Sequence, residues 1–219
     1  MPKHRKDLTT EKIIQKAIEL ADKSGLEPLT MRSLAKALGA TPMSLYRYVA
    51  NREDMLDKMV DVVFSEIQLP IIGNDWRSEM RKRAISTRSA LLSHRWALGL
   101  LDSRLQPGPA TQKHHNAVIG TLRESGFSIP LTTQTMTLLD AYIYGFILQE
   151  LSLPLSESGN FDEVGESIVH HLDQATYPYL AELATAHLDN AGFDFNNFFE
   201  VGLDIVLEGL EVMAESKQP

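Results

Sequence analysis

Residues 30–52, TMRSLAKALGATPMSLYRYVANR, constrain the fold of this chain more than any other stretch. Leu34, Leu38, Leu45 and Val49 follow one another at spacings of four, seven and four, which is helical periodicity. Ala35 and Gly39 fall where two helices must touch and turn. The first supplies a small side chain for close packing and the second tolerates positive φ. A helix-turn-helix meets all of these demands at once. Thr41 is placed to cap the second helix, and Pro42 fits its first turn, where a missing N–H costs nothing.

With Leu45 and Val49 turned inward, the remaining face of the second helix is Met43, Ser44, Tyr46, Arg47 and Tyr48. Hydroxyls and a guanidinium bond to phosphates and base edges, a methionine methyl can touch a thymine methyl, and an arginine can read a guanine. An ordinary solvated helix is the plainer account of any one of these residues. Solvated faces prefer Glu, Lys and Gln, however, and two tyrosines beside an arginine on so short a helix call for a partner surface.

Net charge first argues against nucleic acid, because the 219-residue chain carries −8. The charge is unevenly placed. Residues 1–52 hold ten Lys/Arg against five Asp/Glu, or +5, and residues 53–219 hold eleven against twenty-four, or −13. A basic head on an acidic body is the asymmetry expected when only the head meets phosphate. The 43% hydrophobic content allows a sizeable core. The absence of cysteine excludes disulfides and thiolate metal sites. No apolar run approaches the roughly 18 residues of a membrane span, and the basic N-terminus has no apolar segment behind it. A soluble, cytoplasmic protein is expected.

The rest of the chain predicts an all-α fold. Thr10 is expected to cap a helix over 11–24 that Gly25 ends, and Asn51 to cap another reaching about Gln68, with Asp54 in its first turn. The loop at 69–74 separates head from body. The expected organisation is a three-helix DNA-binding head (1–52), a connecting helix and loop (53–74) and a larger helical body (75–219), to which the resemblance described below assigns ligand binding and dimerisation. Body helices are predicted at about 76–93, 95–104, 110–125, 131–152, 162–175, 179–188 and 195–215, with a polar loop, LSESGNFD, after the fourth. No segment alternates as a strand would.

The last helix carries Phe195, Phe198, Phe199, Gly202, Ile205, Val206, Gly209, Leu210 and Met213 at spacings of three and four. Two glycines on an apolar stripe each weaken the helix by about 1 kcal/mol. Close approach of another helix offsets that loss. A glycine pair buried within one chain is the plainer account. A dimer interface is the expected one, with Phe199, Gly202, Val206, Gly209 and Met213 meeting Tyr142 and Gly145 of the 131–152 helix in a four-helix bundle.

The head segment TTEKIIQKAIELADKSGLEPLTMRSLAKALGATPMSLYRYVANREDMLDKMV resembles the tetracycline-repressor family almost residue by residue. In the body, LRESGFS, DAYIYGFILQE and FEVGLDIVLEGLEV are similar to the family's C-terminal domain and occur in the expected order. The resemblance implies an all-α homodimer that binds a (pseudo)palindromic double-stranded DNA operator, represses transcription, and releases DNA when a small molecule binds the body. Carried over by position, it implies that Arg32 meets DNA, that Pro42, Met43, Ser44 and Arg47 reach the major groove, that Tyr46 and Tyr48 hold phosphates, and that Arg52 anchors the backbone. Thr41 belongs to the same set as the cap. Where the founding member has Trp-His after the matching tyrosine, this chain has Arg47-Tyr48, so a different operator is expected.

For the body, an apolar pocket with a few polar handles is expected. His94 and Trp96, near a helix junction, and Met136, Leu139, Tyr142, Phe146 and Gln149 are its candidate walls, although each is also a reasonable core residue. The pairs His114-His115 and His170-His171 are poor chelators, since adjacent residues point about 100° apart on a helix. They are read as surface or satisfied histidines, with no metal and no cofactor expected. An enzyme is disfavoured because no Gly-rich phosphate loop, G-x-S-x-G elbow or Glu-x-x-His pair occurs. The competing regulator reading is a ligand-blind or activating DNA-binding protein whose body only dimerises.

Overall fold

The computed structural model describes residues 8–101, 103–104, 106–152, 170–189 and 195–216. Among these the regular structure is helical, with no strand. The head comprises α1 (Thr10–Ser24), α2 (Met31–Leu38) and α3 (Pro42–Leu45), followed by α4 (Arg52–Glu66). The body contains α5 (Trp76–Ser93), a 3-10 turn (Arg95–Ala97), α6 (Pro109–Glu124), α7 (Ile129–Ser152), α8 (Pro178–Asp189) and α9 (Phe195–Ser216). The expected helix at about 162–175 and the loop LSESGNFD fall wholly or largely outside the described residues. No described helix is long and apolar enough to cross a membrane.

Local chemistry sets the helix ends. Thr9, not Thr10, caps α1, its hydroxyl accepting from the Lys12 N–H. The cap moves one residue because Thr10 already has helical geometry. α2 starts at Thr30 with a reciprocal cap, in which Thr30 Oγ1 accepts from the Ser33 N–H and Ser33 Oγ from the Thr30 N–H. It stops at Gly39, whose φ of 64° is left-handed and suits glycine. Asn51 accepts from the Asp54 N–H and Asp54 from the Ala50 N–H, closing the start of α4. α4 ends at Glu66, short of Gln68. Of the helix predicted over 95–104, the described residues form a 3-10 turn (Arg95–Ala97) followed by turns.

Two apolar cores lie in series. In the head, Ile13, Ile14, Ala17 and Ile18 of α1 enclose Leu34, Ala35, Leu45 and Val49. In the body, Met80, Ala84 and Leu91 of α5 pack with Val118, Leu122, Leu139, Ile143, Leu203 and Leu207. α4 belongs to both, giving Met55, Leu56 and Met59 to the head and Val60, Val63 and Phe64 to the body. One side of α4 also binds the body electrostatically. Arg104 donates to Asp57 (2.5 Å) and Glu53 (2.8 Å), and Asp61 accepts from the Thr111 N–H (2.8 Å) and hydroxyl (2.9 Å). Asp61 thereby caps α6, which begins at Gly108 with no side-chain cap of its own.

Candidate nucleic-acid interface and buried polar site

The head presents one continuous polar face. Leu34, Leu45 and Val49 are buried, which fixes the rotation of the second helix and the turn after it. Met43 is left 77% exposed and Tyr46 48% exposed, beside exposed Thr41, Pro42 and Arg47. Arg32 of α2 is exposed, and an open groove runs from it past Lys36 to Pro42. Thr41 Oγ1 is occupied as the α3 cap, and the Ser44 hydroxyl donates to the Thr41 carbonyl (2.6 Å). Tyr48 is half-buried against the head core. Arg52 is exposed but tethered, donating to the Leu26 carbonyl (3.3 Å). Met43, Tyr46 and Arg47 thus point outward from this helix and turn, with Arg32, Thr41, Pro42 and Arg52 also exposed on the head.

Two of the residues expected to wall a pocket, His94 and Trp96, reach the head. His94 Nδ1 lies 2.8 Å from Asp22 of α1, its Nε2 lies 3.0 Å from Glu66 of α4, and Trp96 Nε1 donates to Asp22 (2.6 Å). They join body to head. Burial works against a charged imidazole at His94, but the hydrogen bonds and charges of Asp22 and Glu66 outweigh it and lift its pKa above the ordinary value.

Other expected wall residues are committed inside the body. Leu139 is fully buried core. The Tyr142 hydroxyl donates to the Phe199 carbonyl (2.8 Å), and Tyr142 and Phe146 form an aromatic cluster with Phe199. Beside this cluster, Arg88 forks onto both carboxylate oxygens of Glu150 (2.9 and 2.7 Å), donates to Asn196 (2.6 Å), and stands 5.2 Å from the Phe199 ring centroid. Met136 is half-buried and Gln149 exposed.

The expected dimer residues divide. Phe199, at 1% exposure, is core. A Cβ on Gly202 would lie 2.4 Å from the hydroxyl of Tyr142 of the same chain. Gly202, Tyr142 and Phe199 are therefore intrachain contacts. Val206 and Met213 are half-buried. Gly145 and Gly209 are exposed, with nothing within 4 Å of a Cβ on either.

Sequence reasoning missed the most polar part of the interior. Arg83, at 3% exposure, donates through Nε to His114 Nε2 (3.0 Å) and through Nη2 to Asp140 (2.6 Å). His114 is fully buried, not at the surface, and desolvation, reinforced by Arg83 and His115, holds its pKa down at about 3. Its ring stands at 80° to that of His115, with the centroids 6.0 Å apart. Arg83 Nη1, His114 Nδ1, Thr121 Oγ1 and Thr135 Oγ1 are buried without a partner. The available signal was polar residues at 79, 83 and 87, at i, i+4, i+8 spacing, along α5.

Residues 13–59 match the family model described as bacterial regulatory proteins, tetR family, and residues 69–214 match that described as tetracyclin repressor-like, C-terminal domain. The chain is 31% identical over 220 residues to the HTH-type transcriptional repressor DrrR1 of Streptomyces coeruleorubidus, covering 96% of this chain and 80% of that one. It is 29% identical to the class A tetracycline repressor protein of transposon 1721 from Escherichia coli, covering 90% and 88%. Among solved structures, the Streptomyces coelicolor TetR family protein ActR in complex with actinorhodin is similar, with a TM-score of 0.76 and 28% identity over 94% of this chain and 98% of that one.

Proposed function

Because the chain belongs to the tetracycline-repressor family, we propose that it is a transcriptional repressor that binds a (pseudo)palindromic operator as a homodimer and releases it when a small molecule enters the body. The observation that carries this reading is the outward placement of Met43, Tyr46 and Arg47 on a helix-turn-helix whose core is fully buried. Arg47 would read a base edge in the major groove, while Tyr46, Arg32 and Arg52 hold phosphates.

The dimer would form on the outward faces of α7 and α9. Leu138 and Leu148 on the first, and Val201, Ile205 and Val212 on the second, are each about half exposed or more, and the bare backbones of Gly145 and Gly209 lie among them. Large apolar stripes of this kind mark interfaces. The two helices pack against each other, so two copies would complete a four-helix bundle. Two heads on such a dimer must stand about 34–36 Å apart to enter successive major grooves.

Release needs a ligand that binds one head spacing better than another. ActR, seen with actinorhodin, supports a small-molecule effector for the body. The contacts of α4 with Arg104, Thr111 and His94 offer the route from body to head. The protein would act in the cytoplasm. The test is selection of bound sequences from a random duplex pool, followed by titration of the selected operator with candidate ligands. Enrichment of an inverted repeat bound by one dimer, and release by a ligand, are expected. Sequences without two-fold symmetry, or a monomer at operator-binding concentrations, would overturn the reading.

A further inference from the structure

His94 stands where three helices end. It follows the last residue of α5, Glu66 is the last residue of α4, and Asp22 lies in the last turn of α1. Its Nδ1 is 2.8 Å from Asp22 Oδ1 and its Nε2 is 3.0 Å from Glu66 Oε2. An ionised carboxylate only accepts, and a neutral imidazole carries a single N–H. Both contacts are therefore hydrogen bonds only when the ring is charged. A neutral ring must turn one lone pair toward a carboxylate. The charged groups facing the ring are Asp22 from α1 and Glu66 from α4, and Arg95 on its own turn is exposed. The negative ends of α4 and α5 favour a cation at the same place. The two carboxylates differ in their other ties. Asp22 Oδ1 also accepts from Trp96 Nε1 (2.6 Å), whereas the Glu66 side chain is 46% exposed and can turn to water.

We propose that this junction is a proton-operated latch on the head: the charged His94 ring holds both α1 and the end of α4 to the body, and loss of its Nε2 proton frees Glu66 while Asp22 stays in place under Trp96. The effect on DNA rests on the operator reading above. A head held less firmly loses more freedom when it docks in a groove, so operator affinity falls as Glu66 is freed. The latch is closed at acid and neutral pH and opens as pH rises.

The test compares full-length wild type with Glu66→Gln at about pH 6 and about pH 9, on either side of the imidazole range. A glutamine amide accepts from a charged ring and donates to a neutral one, so the variant stays latched at both. The His94 midpoint, followed by NMR of the ring and assigned by its loss in His94→Gln, should fall by about one unit in Glu66→Gln. Amide exchange over residues 63–66 should match at the lower pH and run about 5-fold faster in wild type at the higher. Operator affinity should fall about 5-fold more in wild type than in the variant between the two. Because the variant is expected to gain attachment at high pH, a disturbed fold cannot imitate the result. An equal His94 midpoint in the two proteins, or equal exchange at the higher pH, overturns the latch. The expected midpoint and exchange with a parallel change in operator affinity overturns its control of DNA binding. A chain that binds no operator removes the operator reading instead, and the midpoint and exchange still decide the latch.

Discussion

The carboxylate of Asp61 lies over the backbone of Gly108, where a Cβ would stand 2.3 Å from the aspartate Cγ. Because α6 has no side-chain cap of its own, this contact from α4 starts the helix while fastening it to the rod that carries the head. Gly108→Ala would push the carboxylate away, and Asp61→Ala would remove it. Either should cost about 0.5–2 kcal/mol, the range for a lost cap, measured by urea denaturation. The double variant should cost little more than Gly108→Ala alone, because the two substitutions break one contact. Additive losses would sink this account.

At the DNA face, Arg47→Ala and Tyr46→Phe should have different consequences. The first removes a group suited to a base edge and should relax sequence preference at one position, with a cost of about 1–3 kcal/mol on the preferred operator. The second removes only a hydroxyl suited to phosphate and should weaken all duplexes about equally. Competition binding against single-base operator variants measures both. An unchanged preference in Arg47→Ala would reassign that residue.

Gly202 and Gly209 should separate fold from assembly. Gly202→Ala forces the Tyr142 ring to move and should lower the melting temperature. Gly209→Leu meets open space within the chain. It should leave the secondary structure intact while shifting sedimentation from dimer toward monomer. A fully dimeric Gly209→Leu protein would place the interface elsewhere.

His94 gives stability a pH dependence of known sign. Its folded pKa lies above the ordinary 6.5, so the link to Asp22 and Glu66 is fully present below pH 6.5 and is lost as pH rises through the raised value. His114 acts in another window. Its folded pKa of about 3 makes the protein less stable as pH falls from 6.5 toward that value. Urea midpoints across neutral and alkaline pH should therefore decline in wild type and stay flatter in His94→Gln. Identical profiles would show that this histidine does not carry the effect.

What could be read from the sequence was what neighbouring residues decide. The Gly39 turn, the Thr41 and Asn51 caps and the stripe of α1 depend on residues a few positions apart, so periodicity and capping chemistry suffice. The body's polar contacts do not work that way. Asp61 caps a helix 50 residues away, and His94 meets a carboxylate 72 residues away. No local pattern announces either contact. Gly202 shows the same limit, since a bare backbone facing Tyr142 of the same chain looks, in sequence, like one facing a second chain. Arg83 went unnoticed, and His114 was read as a surface or satisfied histidine, because isolated polar residues on a helix read as solvated until the packing encloses them.

The division of α4 between two cores also bears on how such proteins can be recombined. Met59 closes the head core and Val60, the next residue, opens the body core. A graft of this head onto a relative's sensor has its natural junction within α4 near that peptide bond, although Val62 still packs on the head, and not in the loop at 69–74. Even there the splice parts Asp57, which faces Arg104, from Asp61, which faces Thr111. A functional hybrid must therefore bring its own matching pair of contacts, or the exchanged reader will be attached yet deaf to its new sensor.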